Sequence, residues 1–270
     1  MKTKWIIGLI SIAVVLVAVA AWWANNSSKD ANTGAGAEYN LVNPGKLTIV
    51  SSGGFVPFTD MEDGKMVGYD IDVGTEIAKI LGLEPKFEKA DFSGMITGIQ
   101  TGRYDIAINS HTITDERKKQ VSFTQPYYYS GSMIFSAPDS SIKTVDDLNG
   151  ATVALNRSSN YYVEAQAYTK KFDFYDDDLR ALQAVAEGHG DAGITDAISG
   201  QQAIANGLKL EAQQQFSKTE QAIPMAKDNE KLLKAINEAM DELKANGKLK
   251  ELSIKWIGFD VTQPPEDVVE

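Results

Sequence analysis

The sequence predicts an α/β protein of two lobes. From Lys46 onward, short strand-like runs alternate with helix-like runs. The same β-α-β-α rhythm starts again in the second half, and two such halves imply two α/β lobes. The stretches Met133–Ala137 and Ile223–Lys227 flank that second half and are the candidate crossings. Two crossings make a hinge and a cleft, with the last helices returning to the first lobe. A single continuous sheet is the alternative that the pattern leaves open.

Each element has a local reason. Leu47–Val50 is a strand leading into the loop Ser51–Phe58, and Asp63-Gly64 turns between two short extended pieces. Asp70–Leu81 is a helix, since Ile71, Thr75 and Ala78 recur at helical spacing and Gly82 supplies a stop. Lys86–Ala90 is a strand, Phe92–Ile99 an apolar-faced helix ending near Gly102, Tyr104–Asn109 a strand, and Asp115–Gln120 a brief helix. In the second half, Thr144–Leu148 is a short helix, Thr152–Leu155 a strand, Tyr161–Lys170 a helix and Phe172–Tyr175 a strand. Leu179–Glu187 is a helix with its exit at Gly188, Ala192–Thr195 a strand, and Ala197–Asn206 a helix. Glu230–Lys244 and Leu249–Trp256 close the chain. These elements put the first lobe at 43–134 plus 227–262, the second at 135–226, and a tail at 263–270.

The 270 residues carry a formal net charge of −11, with acids and bases interspersed. No basic patch or zinc-finger spacing argues for nucleic acid. Cysteine is absent, which excludes thiol catalysis, disulfides, cysteine metal sites and a lipoprotein-type anchor. His111 and His189 show no metal-ligand spacing, so neither a metal nor another cofactor is expected.

Residues 1–24 form a separate unit. Lys2 and Lys4 precede an apolar run from Trp5 to Ala24 that is broken only by Ser11. A basic start and an apolar core imply export. Ala18 and Ala20 permit cleavage, while about 20 apolar residues also suffice to span a bilayer, and Trp22-Trp23 suit a membrane interface. Both a signal peptide and an N-terminal membrane anchor fit. The polar stretch 25–42 reads as a flexible linker.

Arg117 sits just after the apolar run Tyr104–Asn109, in Thr112-Ile-Thr-Asp-Glu-Arg117. Its planar fork of donors matches a carboxylate. Thr114 can cap the short helix, with Asp115 and Glu116 favourable in its first turn. Ser110 and Thr112 can add hydroxyl or backbone donors. Asp196 ends a strand of small apolar residues and can pair with an ammonium, cap the next helix, or do both. Backbone amides at Ser158 and Ser159, where another helix starts, can hold an anion or merely be capped. Phe55 and Phe92 can floor and roof an apolar side chain, or belong to the core. On spacing alone, Arg117 is also compatible with an ordinary surface arginine. An arginine from one half and an aspartate from the other would hold a small zwitterion between them.

The motifs carry a resemblance. They include Gly54-Phe-Val-Pro-Phe58, Met66-Val-Gly-Tyr-Asp-Ile-Asp72, Phe92-Ser-Gly-Met-Ile-Thr-Gly-Ile-Gln-Thr-Gly102 and Tyr104-Asp-Ile-Ala-Ile-Asn109. Thr112–Lys119, Val121–Tyr127, Asp147–Gly150 and Lys255–Gly258 follow in order. With these, the chain resembles the bacterial polar amino acid-binding proteins of ABC uptake systems, solute-binding family 3, from about Leu47 to Gly258.

That resemblance implies the two-lobe, type II periplasmic-binding-protein-like fold, with two hinge strands and a ligand cleft. It implies aromatic contacts at Phe55 and Phe92, donors at Ser110 and Thr112, and the carboxylate clamp at Arg117. In the second lobe it implies a side-chain contact near Asn156, a carboxylate contact at Ser159 and the ammonium acceptor at Asp196. The expected function is extracytoplasmic capture of a polar amino acid by a monomer that hands it to an ABC transporter permease. The chain departs from the family pattern at Ser158, where glycine is usual. Asn156 is neutral and no acid is evident at the side-chain end, which favours a glutamine-like ligand over arginine or lysine. Two rival readings remain. One is a cyclohexadienyl dehydratase-like enzyme, with Glu164, Glu220 or His111 as acid; the other is a tethered sensor module.

Overall fold

The structure is a computed structural model and describes residues 39–264. The export or anchor segment, the linker up to residue 38 and the tail from residue 265 lie outside the described residues.

The first half folds as β1 (Lys46–Ser51), β2 (Asp60–Glu62), β3 (Lys65–Val67), α1 (Tyr69–Ile80), β4 (Glu84–Lys89), α2 (Phe92–Gln100), β5 (Ile106–Ala107), α3 (Asp115–Gln120), β6 (Ser122–Phe123) and β7 (Tyr128–Ser130). The second half holds β8 (Ser132–Ser136), a 3-10 turn (Val145–Leu148), β9 (Thr152–Asn156), α4 (Asn160–Ala165), β10 (Lys171–Tyr175), α5 (Asp178–Ala186), β11 (Ala192–Asp196), α6 (Ala197–Ala205) and β12 (Glu211–Gln215). The chain then runs through β13 (Thr219–Gln221), β14 (Pro224–Met225), α7 (Glu230–Ala245) and α8 (Lys248–Ile257).

Several of these follow directly from local chemistry. α1 ends as its sequence demands: Gly82, at φ 66°, donates to the Lys79 carbonyl, and Leu83 donates to that of Ala78. This is the double hydrogen bond of a left-handed helix stop, a conformation that glycine adopts at no steric cost. Thr114 caps α3 by accepting from the Arg117 N–H at 3.2 Å. Thr144 and Asp147 form a reciprocal capping box around the 3-10 turn.

Two five-stranded sheets result, in the orders β4-β1-β5-β14-β6 and β10-β9-β11-β8-β12. Each has a parallel half, β4-β1-β5 or β10-β9-β11, extended by antiparallel strands. The first sheet packs α1, α7 and α8 on one face, through Leu47, Ile49, Ile77, Ile236, Met240 and Leu252. Val50, Met95, Ile99 and Val121 form a separate core on its other side. The final helices α7 and α8 thus pack against the first sheet.

The crossings lie elsewhere than expected. Met133–Ala137 falls largely in β8, whose five residues are all buried within the second sheet, and Ile223–Lys227 contains β14 of the first sheet. The strands outside both five-stranded sheets are β7 and β13, which pair antiparallel with each other. We place the lobe borders there. Apolar runs mark sheet interiors, whereas these hinge strands are mixed in polarity. The expected helix Tyr161–Lys170 also shortens to α4, because Thr169 turns away to donate to the Ala151 carbonyl at 2.7 Å.

Candidate functional site

The loops that follow the parallel strands of both sheets face one cavity of about 320 Å³. From the first lobe come the 52–55 loop after β1, Lys89, Asp91 and Phe92 around the start of α2, and Asn109 and Ser110 after β5. From the second come Asn156 after β9, Ser159 to Tyr161 at the start of α4, and Asp176, Asp177, Asp178 and Arg180 at the start of α5. Ligands of open α/β sheets sit at these carboxyl ends of parallel strands.

Five of the expected residues, Phe55, Phe92, Ser110, Asn156 and Ser159, line the cavity. Ser110 is at φ 54°, an uncommon conformation for a residue with a side chain, and its hydroxyl donates to Asp70 Oδ2 at 3.1 Å. Phe92 stacks on His111 with ring centroids 4.6 Å apart. Asn156 shapes its own loop: its Oδ1 accepts from Ser158 N–H at 2.9 Å, and its Nδ2 donates to the Asp176 carbonyl at 3.3 Å. The Ser159 hydroxyl donates to the Asn156 carbonyl at 2.6 Å.

The other three, Thr112, Arg117 and Asp196, are buried behind that lining. The Arg117 guanidinium lies 5.3 Å from the Phe92 ring centroid and donates to the Thr112 carbonyl at 2.9 Å. It also reaches across the cleft to the Ser158 carbonyl at 3.3 Å, so the lobes are in contact here. Asp196 does cap α6: its Oδ1 accepts from Ile198 N–H at 2.9 Å and Ser199 N–H at 3.1 Å, which leaves Oδ2 free of the cap. Tyr161, in the cavity wall, lies within electrostatic reach of Asp178, Asp196 and Arg117.

Three carboxylates carry the electrostatics. Burial pushes Asp70 and Asp178 up to about 7 and Asp196 up to about 6, against hydrogen bonds that favour the ionised form. None of the ion pairs among the described residues includes any of them. Asp70 accepts from Tyr127 Oη at 2.7 Å, and Asp178 from Thr195 Oγ1 at 3.0 Å. A site of this kind is short of a cation.

Sequence reasoning missed Asp178 and the aspartates beside it. It found no acid at the side-chain end, yet Asp91, Asp176, Asp177 and Asp178 line the same cavity as Asn156. The available clue was the run Asp176-Asp177-Asp178 at a helix start, which reads equally well as capping; Asp177 does cap α5 through Arg180 N–H at 2.8 Å. Of the acids weighed for an enzyme, Glu164 is tied to Ser132 and Asn160, Glu220 is exposed, and neither they nor His111 line the cavity.

A profile of the bacterial extracellular solute-binding proteins, family 3, matches residues 47–259. The chain belongs to that family. It is 34% identical to the L-cystine-binding protein TcyJ of Escherichia coli (strain K12), over 81% of this chain and 85% of the relative. It is 35% identical to the probable amino-acid-binding protein YxeM of Bacillus subtilis (strain 168), over 96% and 97%. Among solved structures, an ancestral arginine-binding protein bound to arginine superposes with a TM-score of 0.75 at 34% identity, covering 79% of this chain and 99% of that one. The resemblance read from the motifs and the two-lobe fold are therefore both correct. This family 3 protein is a binding protein of the ABC-importer class. Among the described residues, no helix is long and apolar enough to cross a membrane.

The buried groups predict a pH profile for the ligand-free family 3 protein. A carboxyl whose folded pKa exceeds its unfolded value near 3.9 stabilises fully below the unfolded value, and that contribution is lost as pH rises through the folded pKa. His111 runs the opposite way: burial first, and Arg117 second, push its pKa down. Below about 6.5 the unfolded chain takes a proton on this histidine that the folded protein refuses, which removes up to ~1.4 kcal/mol per pH unit. Acidification from about pH 7.5 to 6.5 should therefore raise stability, and His111 should oppose the gain below that window. Urea melts at stepped pH check this. Stability that falls between those two pH values refutes the carboxyl account.

Proposed function

We propose that this protein captures an L-amino acid between its lobes, outside the cytoplasm, and delivers it to the permease of an ABC importer. Arg117 clamps the ligand carboxylate, with donors from Ser110, Thr112 and the Ser159 region. Asp196 accepts the ammonium, Phe55 and Phe92 hold the side chain, and Asn156 meets its polar end. One observation carries the reading: the buried Arg117 guanidinium and the buried Asp196 carboxylate, which belongs to none of the ion pairs among the described residues, lie within electrostatic reach of Tyr161 in the wall of one cavity lined by both lobes. An amino acid supplies both missing partners from a single carbon. Contacts that form only when the lobes meet favour closure, and the closed face is what a permease reads.

The relatives' names, cystine-binding and arginine-binding, support the amino-acid class. Glutamine stays within it, because its side-chain amide can donate to an aspartate. The case for glutamine over basic ligands rested on the lack of an acid, and the aspartates of the lining remove that support.

A thermal-shift screen of the common amino acids and cystine tests the proposal. A true ligand at about 100 times its Kd adds ~2.7 kcal/mol of stability. That raises the melting temperature by roughly 5–11 °C for a chain of this size. No shift with any of them would end the amino-acid reading.

A further inference from the structure

Beside the ligand cavity lies a second one of about 420 Å³. Val56 and Asp60 of the first lobe face α5 and α6 of the second across it. The two cavities share Gly54, Phe55 and Asp178, so the half-buried Phe55 ring and the Asp178 carboxylate form the partition. The Ser199 hydroxyl donates to the Val56 carbonyl at 2.7 Å, a bond between the lobes in the wall of this second space. The chamber is thus complete only when the lobes are together.

Its chemistry is selective. Val56, Leu179, Leu182, Ala203 and Leu208 supply apolar surface. Its ionisable groups, Asp60 and Asp178, are both acids, and no lysine or arginine lines it. An anionic side chain would meet only like charge there. An aliphatic stem would be covered by the leucines, and a cation at its tip would find Asp60 and Asp178.

We propose that the second cavity is a distal subsite, which receives the end of a long cationic side chain passing between Phe55 and Asp178. The inference rests on the amino-acid reading above, moves the far end of a long side chain past Asn156 into the second cavity, and narrows the ligand to a class: side chains longer than glutamine's, with an aliphatic stem and a guanidinium or ammonium end. Asp178 suits the passage. One of its oxygens is held by Thr195, and it has no cation of its own among the described residues. Phe55 offers its ring face to the passing stem or guanidinium.

Calorimetry with L-homoarginine as the long probe and L-glutamine as the short one tests this on the purified protein. Ala203→Trp fills the second chamber from α6 without touching the first cavity. Asn206→Trp does so from an exposed position, where folding is not at stake. Each variant should weaken homoarginine roughly tenfold or more and leave glutamine unchanged. Homoarginine binding equally well to wild type and to both folded variants overturns the distal subsite while the amino-acid reading stands. Wild type that takes glutamine and refuses homoarginine overturns it as well. Wild type that binds no amino acid at all overturns the reading beneath it.

Discussion

Replacing Arg117 with alanine should weaken amino-acid binding by about 2–5 kcal/mol, or roughly 30-fold to several thousandfold. Arg117 is 9% exposed, and its guanidinium lies over the Phe92 ring. Two of its hydrogen bonds go to the carbonyls of Thr112 and Ser158. A guanidinium has five donors, so others remain for a carboxylate. Burial lowers its pKa, and it nevertheless stays charged at neutral pH. Alanine would leave a ligand carboxylate buried without a counter-charge, which is where the large loss arises. Lysine at the same position should recover only part of it, because a point charge cannot reproduce the planar fork. Calorimetry on variants whose melting temperatures are first checked decides the matter. Undiminished affinity in Arg117→Ala would remove the clamp from the mechanism.

Gly131→Ala should destabilise the protein by about 3 kcal/mol, the upper range for overpacking. At this chain length the melting temperature would fall by about 6–12 °C. Gly131 joins β7 to β8, the point where the chain leaves the hinge pair for the second sheet. A Cβ there would stand 1.9 Å from the Ser217 carbonyl oxygen and 2.3 Å from Gln215 Nε2. Gln215 could move, but Ser217 contributes backbone just before β13, the returning hinge strand. The Gly131 carbonyl also accepts from Ala197 N–H at 2.9 Å, beside the Asp196 cap. Relieving the clash must therefore separate the two hinge segments or shift the start of α6. Scanning calorimetry measures the loss, and an unchanged transition would show that the two segments need not approach this closely.

Much of the site could be read from residue order because its parts are local. Thr114, Asp115 and Arg117 form a capped turn, and the hydrogen bond that makes it spans three residues. Gly82 and the Thr144–Asp147 box are equally self-contained. Asp178 is the contrary case. As a residue one past a helix cap it looks ordinary, and it becomes a cavity wall only because α5 of one lobe is brought against the 54–55 loop of the other. β12, with the sequence Glu-Ala-Gln-Gln-Gln, shows no apolar alternation; it is a strand because it pairs with β8 at the edge of the second sheet.

The crossings teach the same lesson. Met133–Ala137 was singled out because it flanks the second half, but its apolar residues are buried in β8 as part of a sheet. Tyr128–Ser130 and Thr219–Gln221 carry no such apolar run, and their pairing links residues about ninety positions apart.

The order of strands and helices, their stops and caps, and an arginine poised at a helix start were all present in the chain itself. Hydrophobic period and capping act between near neighbours. That Asp178 walls the cavity, and that burial pushes both it and Asp70 up to about 7, was decided by the folded molecule. Desolvation and long-range Coulomb forces depend on what packs around a group, and that company comes from distant parts of both lobes.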